Sequence, residues 1–274
     1  MKKKIVFCFL LIISANFITC FQYDDINDFM VTPLTGGKSA LIAKYEGTKQ
    51  HVRIPKRINR MSVIAIGNNA FLDKQITGIT FPKSITTIGN GAFINNRLTS
   101  ITIPKTVTSL GNGAFRNNQL TNVTIPDSVT SINFRVFENN KLTNVTIPNS
   151  VTIIDTRSFR DNLLSSITIP DSVTYIGLDA FRNNQLTSVT ISNNLEYIGD
   201  DAFFLNQLNS VIIPDSVTYI GNRAFWGVNN ITIGANVTMY IYSFSDDFKI
   251  FYEENGSRAG TYNFIDDNWI AEYR

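Results

Sequence analysis

The chain has 274 residues, 43% hydrophobic and 17% charged, with one His, two Cys and a formal net charge of +2. A lone His leaves a single imidazole for any catalytic arrangement, and two Cys exclude both a disulfide framework and a Cys/His zinc site of the usual spacing. So small a charge gives no electrostatic footprint for nucleic acid.

Residues 1–19 read as an export signal. Lys2, Lys3 and Lys4 make a basic start, Ile5 to Ile13 an apolar stretch, and Ser14, Ala15 and Asn16 a small, polar exit. The apolar run is shorter than the roughly 20 residues that a membrane span needs. Cleavage would remove three Lys and no acid, leaving 21 basic against 22 acidic residues. Both Cys lie within the first twenty residues, so a chain cut before Cys20 keeps one thiol with no intrachain partner. Residues 20–40 read as a linker.

From there a repeat governs the sequence. Phe71, Phe93, Phe115, Phe137, Phe159, Phe181, Phe203 and Phe225 recur every 22 residues. A small residue precedes most of them (Ala70, Ala92, Ala114, Ala180, Ala202, Ala224), and Gly111 and its equivalents stand four positions ahead. Asn96, Asn118, Asn140, Asn162, Asn184 and Asn206 follow three positions after, and Leu98 and its equivalents five after. One unit reads roughly L-T-S-I-T-I-P-x-S-V-T-x-I-G-x-x-A-F-x-N-N-x. Its I-T-I segment alternates with strand periodicity, Ile101 and Ile103 inward and Thr102 outward, and Pro104 ends the strand. Gly111 is expected to allow a sharp turn, and Ala114-Phe115 to form a short helical or 3-10 turn packed inward. Such a unit cannot bury its apolar positions alone, so stacked neighbours must do so, which makes a solenoid.

The register predicts two ladders. The Asn series from Asn96 to Asn206 should point inward and satisfy backbone groups of adjacent coils. Thr102, Thr124, Thr146, Thr168 and Thr190 should line an outward face, flanked by Ser100, Asn122, Asn144, Ser166 and Ser188, with Ile212 breaking the series. Two readings of that face stand: a β-favouring solvated surface, or a polar binding platform. Beyond the repeat, residues 245–274 read as a small β cap. Its strands are expected at 248–252, 261–265 and 269–273, joined by Asn-Gly and Asp-Asp-Asn turns.

No catalytic motif survives inspection: neither G-x-S-x-G nor a Walker-type phosphate loop is present. Gly89-Asn90-Gly91 and Gly111-Asn112-Gly113 repeat with the coil, and Asp127, Asp171 and Asp215 read as turn residues after Pro. Arg116, Arg160 and Arg182 share one repeat position and read as a solvated edge or a weak anion-attracting ridge. His51 has no evident partner. No enzyme, cofactor or metal site is expected.

Two resemblances add to this reading. Phe17-Ile18-Thr19-Cys20 resembles the lipobox of bacterial lipoproteins, in which cleavage precedes a Cys that carries the lipid. Thr19 and Phe17 depart from the usual small residue and Leu, in the looser manner of spirochaete lipoproteins. The unit L-x-x-I-x-I-P with I-G-x-x-A-F resembles the BspA-like leucine-rich repeats, called the Treponema pallidum type, over about residues 44–244. The family's unit is typically one residue longer and carries Cys where Asn96 and its equivalents stand.

The resemblance implies a leucine-rich repeat solenoid at 41–244 of about eight to nine coils, with a parallel β-sheet face. It also implies a surface-exposed adhesin: a lipoprotein at the outer membrane or cell surface, anchored through Cys20. Such a protein would bind a protein or glycan ligand on host matrix or other bacteria, and no nucleic acid. The alternative in function is an envelope lipoprotein facing the periplasm, with a structural or assembly role and no external ligand; the alternative in location is a secreted or periplasmic chain.

Overall fold

The computed structural model describes residues 25–240, 242–245, 247–265 and 267–273. The signal at 1–19 and Cys20 lie outside them. The 22-residue unit closes on itself once per period and stacks into a β-solenoid of about nine turns, as the repeat predicts.

Each turn contributes two short strands. The first face is built from His51–Arg53, Gly78–Thr80, Ser100–Thr102, Asn122–Thr124, Asn144–Thr146, Ser166–Thr168, Ser188–Thr190, Ser210–Ile212 and Asn230–Ile233. Equivalent residues pair in parallel register: Asn122 with Ser100 and Asn144, and Thr124 with Thr102 and Thr146. Ile101 and Ile103 are buried while Thr102 is exposed, the alternation that a half-buried strand requires. Pro104 ends the strand in a turn closed by the Val107 N–H on the Pro104 carbonyl, 2.9 Å. The second face begins with Met61–Ile66, Thr87–Ile88 and Ser109–Leu110. It runs on through Ser131–Ile132, Ile153–Ile154, Tyr175–Ile176, Tyr197–Ile198 and Tyr219–Ile220 to Thr238–Met239.

Between the faces runs one core. The repeated Phe rings stack from Phe71 to Phe225 with centroids 4.9–5.8 Å apart, each ring fully or almost fully buried. Identical coils put identical side chains in register, so each ring buries its faces against its own equivalents. Tyr45 extends the stack at one end and Phe244 at the other.

The Asn series is part of this interior. Asn118 is 7% exposed; its amide donates to the carbonyls of Phe93 (2.8 Å) and Phe115 (3.1 Å), and its Oδ1 accepts the Leu98 N–H at 3.1 Å. The residue before each buried Asn takes a left-handed backbone, as in Asn95, Asn117, Asn139 and Asn183 (φ 54–56°), which explains the paired Asn-Asn. These leading amides form a second, exposed ladder: Asn117 donates to Asn95 at 2.7 Å and Asn139 to Asn117 at 3.0 Å. The Ser of the P-x-S-V stretch also bridges coils, for example Ser150 Oγ donating to the Val129 carbonyl at 2.7 Å.

Four local expectations change. Gly111 does not have a left-handed backbone; a Cβ there would lie 2.4 Å from the backbone of Gly89 and Asn90 in the preceding coil, so close approach is what demands glycine. The Ala114-Phe115 segment makes two overlapping turns, closed by Ala114 N–H on Gly111 and Arg116 N–H on Gly113, without forming a helix. Gly113, at φ 61°, interrupts the right-handed run, and the Phe115 N–H bonds the next coil at Val136. In the segment read as a linker, Phe29–Pro33 is a strand that pairs antiparallel with Ser39–Tyr45 and sets Phe29 against Tyr45 at 5.2 Å.

The fourth change is in the cap, where Phe248–Glu254 is an α-helix in place of the expected strand. Phe248 and Tyr252, one helical turn apart, are both fully buried, and Phe248 meets Phe244 at 4.8 Å and Trp269 at 4.6 Å. Burying both rings over the end of the Phe stack needs a period near four, which an alternating strand does not supply. The expected hairpin does form, from Gly260–Ile265 and Asn268–Tyr273. It pairs antiparallel with Asn230–Ile233 and so prolongs the first face.

Candidate functional site

The first face presents two outward columns. One runs through Ser100, Asn122, Asn144, Ser166 and Ser188, the other through Thr102, Thr124, Thr146, Thr168 and Thr190, and all ten are exposed. The cap hairpin continues both columns, with Asn263 opposite Asn230 and Thr261 opposite Thr232, whose hydroxyls lie 3.0 Å apart. The strand ladder is not uniform. Hydrogen-bonded pairing lapses in three places, between Gly78–Thr80 and Ser100–Thr102, between Ser188–Thr190 and Ser210–Ile212, and between Asn144–Thr146 and Ser166–Thr168.

A cavity of about 530 Å³ opens over the last-named interruption. Asn144, Thr146, Ser166, Thr168 and Thr190 of the predicted face line it. Ser100, Thr102, Asn122, Thr124 and Ser188 share the face but lie outside the cavity. The structure adds Asn149, Asp171, Ser192 and Asn193, residues that repeat spacing alone reads as turn positions. Ser192 stands where other coils carry Pro, a departure visible in the sequence. Asp171 supplies the sole charge among the lining residues, and the hydroxyls and amides are interleaved with the apolar Val145, Ile147, Ile167, Ile169, Pro170 and Ile191. The concavity has no aromatic lining residue, and it suits a ligand rich in hydrogen-bond donors.

The Arg residues behave differently from either reading of them. Arg116 meets Glu138 at 2.7 Å, and Arg157, Arg160 and Arg182 converge on Asp179 at 2.9–3.2 Å. Arg182 and Arg223 reach Asp201 at 3.5 and 2.7 Å. Two repeat positions, one directly after Phe and one two residues before it, carry basic and acidic residues in different coils, which pair within a column and between the two columns. The result is a partly buried ion-pair network. His51 is exposed, with Nδ1 3.5 Å from Thr77 Oγ1 and its imidazole packed over Gly78. Among the described residues there is no group of three or more His, Cys, Asp or Glu able to hold a metal.

The second face holds a feature that the sequence reading missed. Tyr175, Tyr197 and Tyr219 occupy its outward column in consecutive coils and stack with centroids 4.9 and 4.7 Å apart, planes within 8°. Burial, and after it the neighbouring acids and phenols, raises all three hydroxyls above the usual tyrosine range, that of Tyr219 to about 12. The 22-residue spacing of T-Y-I-G, E-Y-I-G and T-Y-I-G was the available signal.

The BspA type leucine-rich repeat region matches residues 50–164 and 154–250 in six copies. A leucine-rich cell surface protein of Faecalibacterium prausnitzii is similar in structure, with TM-score 0.52 and 24% identity over 79% of this chain and 71% of that one. The leucine-rich repeat protein of T. pallidum (TM-score 0.40, 18% identity, 86% and 96% covered) is also similar. So is the pneumococcal antigen PcpA (TM-score 0.41, 19% identity, 78% and 69% covered). No curated protein sequence matches. No described helix is long and apolar enough to cross a membrane. Matched by that family's model over most of its length, the chain belongs to the BspA-type leucine-rich repeats.

Proposed function

We propose that this is a non-catalytic, cell-surface binding protein that uses the first face to attach to a protein or glycan on host matrix or on other bacteria. The observation that carries this reading is the cavity of about 530 Å³ over Asn144–Thr190, lined by hydroxyls, amides and one carboxylate among apolar side chains and set on a regular stack of coils. Many modest hydrogen bonds and few apolar anchors favour a wet contact strengthened by multivalency. The cell-surface protein of F. prausnitzii supports the location. Anchorage through a lipid on Cys20 completes the proposal: such a chain presents its coils outward from the envelope.

The test has three parts. Protease treatment of intact cells should remove the protein; full protection overturns surface display in favour of a periplasmic assembly role. The purified chain, screened against matrix proteins and glycans, should lose its ligand when Thr146 and Thr168 are both changed to Lys. Unchanged binding sinks the assignment to this face. A Cys20→Ala variant should take up no labelled fatty acid, and continued uptake refutes the anchor.

A further inference from the structure

The stacked tyrosines of the second face carry no structural requirement that smaller residues fail to meet. Thr87, Ser109 and Ser131 occupy the same column in earlier coils of the same solenoid, with the same strand pairing. The column then changes character half-way along the molecule. Ile153 is 41% exposed, Tyr175, Tyr197 and Tyr219 follow, and Tyr240, 53% exposed, meets Tyr219 edge-on at 6.3 Å. Thr238 takes the next place in the column, so four coils form one apolar and aromatic stripe with Tyr240 at its edge.

Its charge is one-sided. Residues 152–155, 174–178, 196–200 and 218–222 contain Asp155, Glu196 and Asp200 and no Lys or Arg. Asp155 acts on Tyr175, and Asp200 on Tyr197 and Tyr219. The ring geometry narrows the ligand further. Parallel rings 4.7–4.9 Å apart leave no gap between their faces, so edges and phenolic oxygens point outward. A sugar stacks on an open aromatic face, which the middle of this ladder lacks. Long basic side chains fit it instead: their methylene stems cover apolar ring edges while their heads reach carboxylates and phenolic oxygens.

We propose that the Tyr175–Tyr197–Tyr219 stripe is a second docking surface, one that takes a Lys- or Arg-bearing polypeptide segment. It is separate from the polar face and stands or falls independently of it.

Fluorescence anisotropy with a labelled twelve-residue peptide of alternating Lys and Leu tests the idea, with the Glu/Leu counterpart as control. Two variants copy residues from sibling coils. Tyr175→Thr/Tyr197→Thr/Tyr219→Thr removes the stack, and Asp155→Asn/Glu196→Thr/Asp200→Asn removes the acids while keeping it. The expected result is saturable binding of the Lys/Leu peptide, weakened about tenfold or more in each variant and unchanged in Thr146→Lys/Thr168→Lys. Absence of saturable binding, equal binding of the Glu/Leu peptide, or unaltered affinity in either stripe variant overturns the proposal. So does binding of a neutral oligosaccharide that the tyrosine variant abolishes.

Discussion

Asn140 Oδ1 accepts the backbone N–H of Leu120 in the preceding coil at 3.1 Å, while its amide donates to the carbonyls of Phe115 (3.0 Å) and Phe137 (3.1 Å). One side chain therefore satisfies backbone groups of two successive coils inside the core. Asn140→Ala strands a buried N–H and weakens the pairing of two carbonyls. The expected loss is about 3 kcal/mol, since each unsatisfied buried group costs roughly 1–3 kcal/mol. Denaturant unfolding of the variant checks it; a loss below about 0.5 kcal/mol would show that water replaces the amide.

Leu205 stands where other coils place Asn, and it holds a left-handed backbone at φ 57° with half its surface exposed. An L-residue with a branched apolar side chain pays in strain for that conformation, whereas Asn visits it readily. Leu205→Asn should stabilise the protein by about 1 kcal/mol, visible as a melting-temperature rise of about 2–4 °C. A lower melting temperature would contradict the account.

Asp179 is 2% exposed and accepts from Arg157, Arg160 and Arg182. Asp179→Asn keeps a residue that tolerates its φ of 58° but removes the charge. Loss of a fully buried partner costs about 3–5 kcal/mol. Here the guanidinium groups are about a quarter exposed and can turn to water, so about 2 kcal/mol is expected. Urea midpoints of Asp179→Asn, Arg157→Gln and the double variant should show coupling; strict additivity would remove the network from the argument.

Tyr262 is fully buried, its hydroxyl donates to the Arg258 carbonyl at 2.6 Å, and burial pushes its pKa up to about 12. The folded state thus holds a proton that the unfolded chain releases near pH 10. Stability is unaffected below about pH 10 and falls as the pH rises from there toward 12. Tyr262→Phe should flatten that decline, measured as urea stability against pH. An equally steep decline in the variant would locate the titration elsewhere.

Repetition explains how much of this molecule is legible in its sequence. A residue that recurs every 22 positions meets the same neighbours in each coil, so one local argument fixes a whole column. The Phe stack, the outward Thr column and the parallel register all follow from that periodicity. Gly111 shows the boundary: spacing marks the position, but only the approach of the Gly89–Asn90 backbone gives the reason. Tyr175, Tyr197 and Tyr219 show another, since a column that changes identity half-way is easily passed over when the consensus is read.

The sequence by itself determined the coil, its period, its inward and outward columns and its family, because these depend on interactions between equivalent positions. Tertiary structure decided whatever joins unlike positions. Arg160, directly after one repeat Phe, and Asp179, two residues before the next, become a pair only once coils stack. The cavity brings the turn residues Asn149, Asp171 and Asn193 beside the strand residues Thr146, Thr168 and Thr190. Phe248–Glu254 is a helix because two rings one turn apart must cover the open end of the Phe stack, and nothing in the local alternation reports that end.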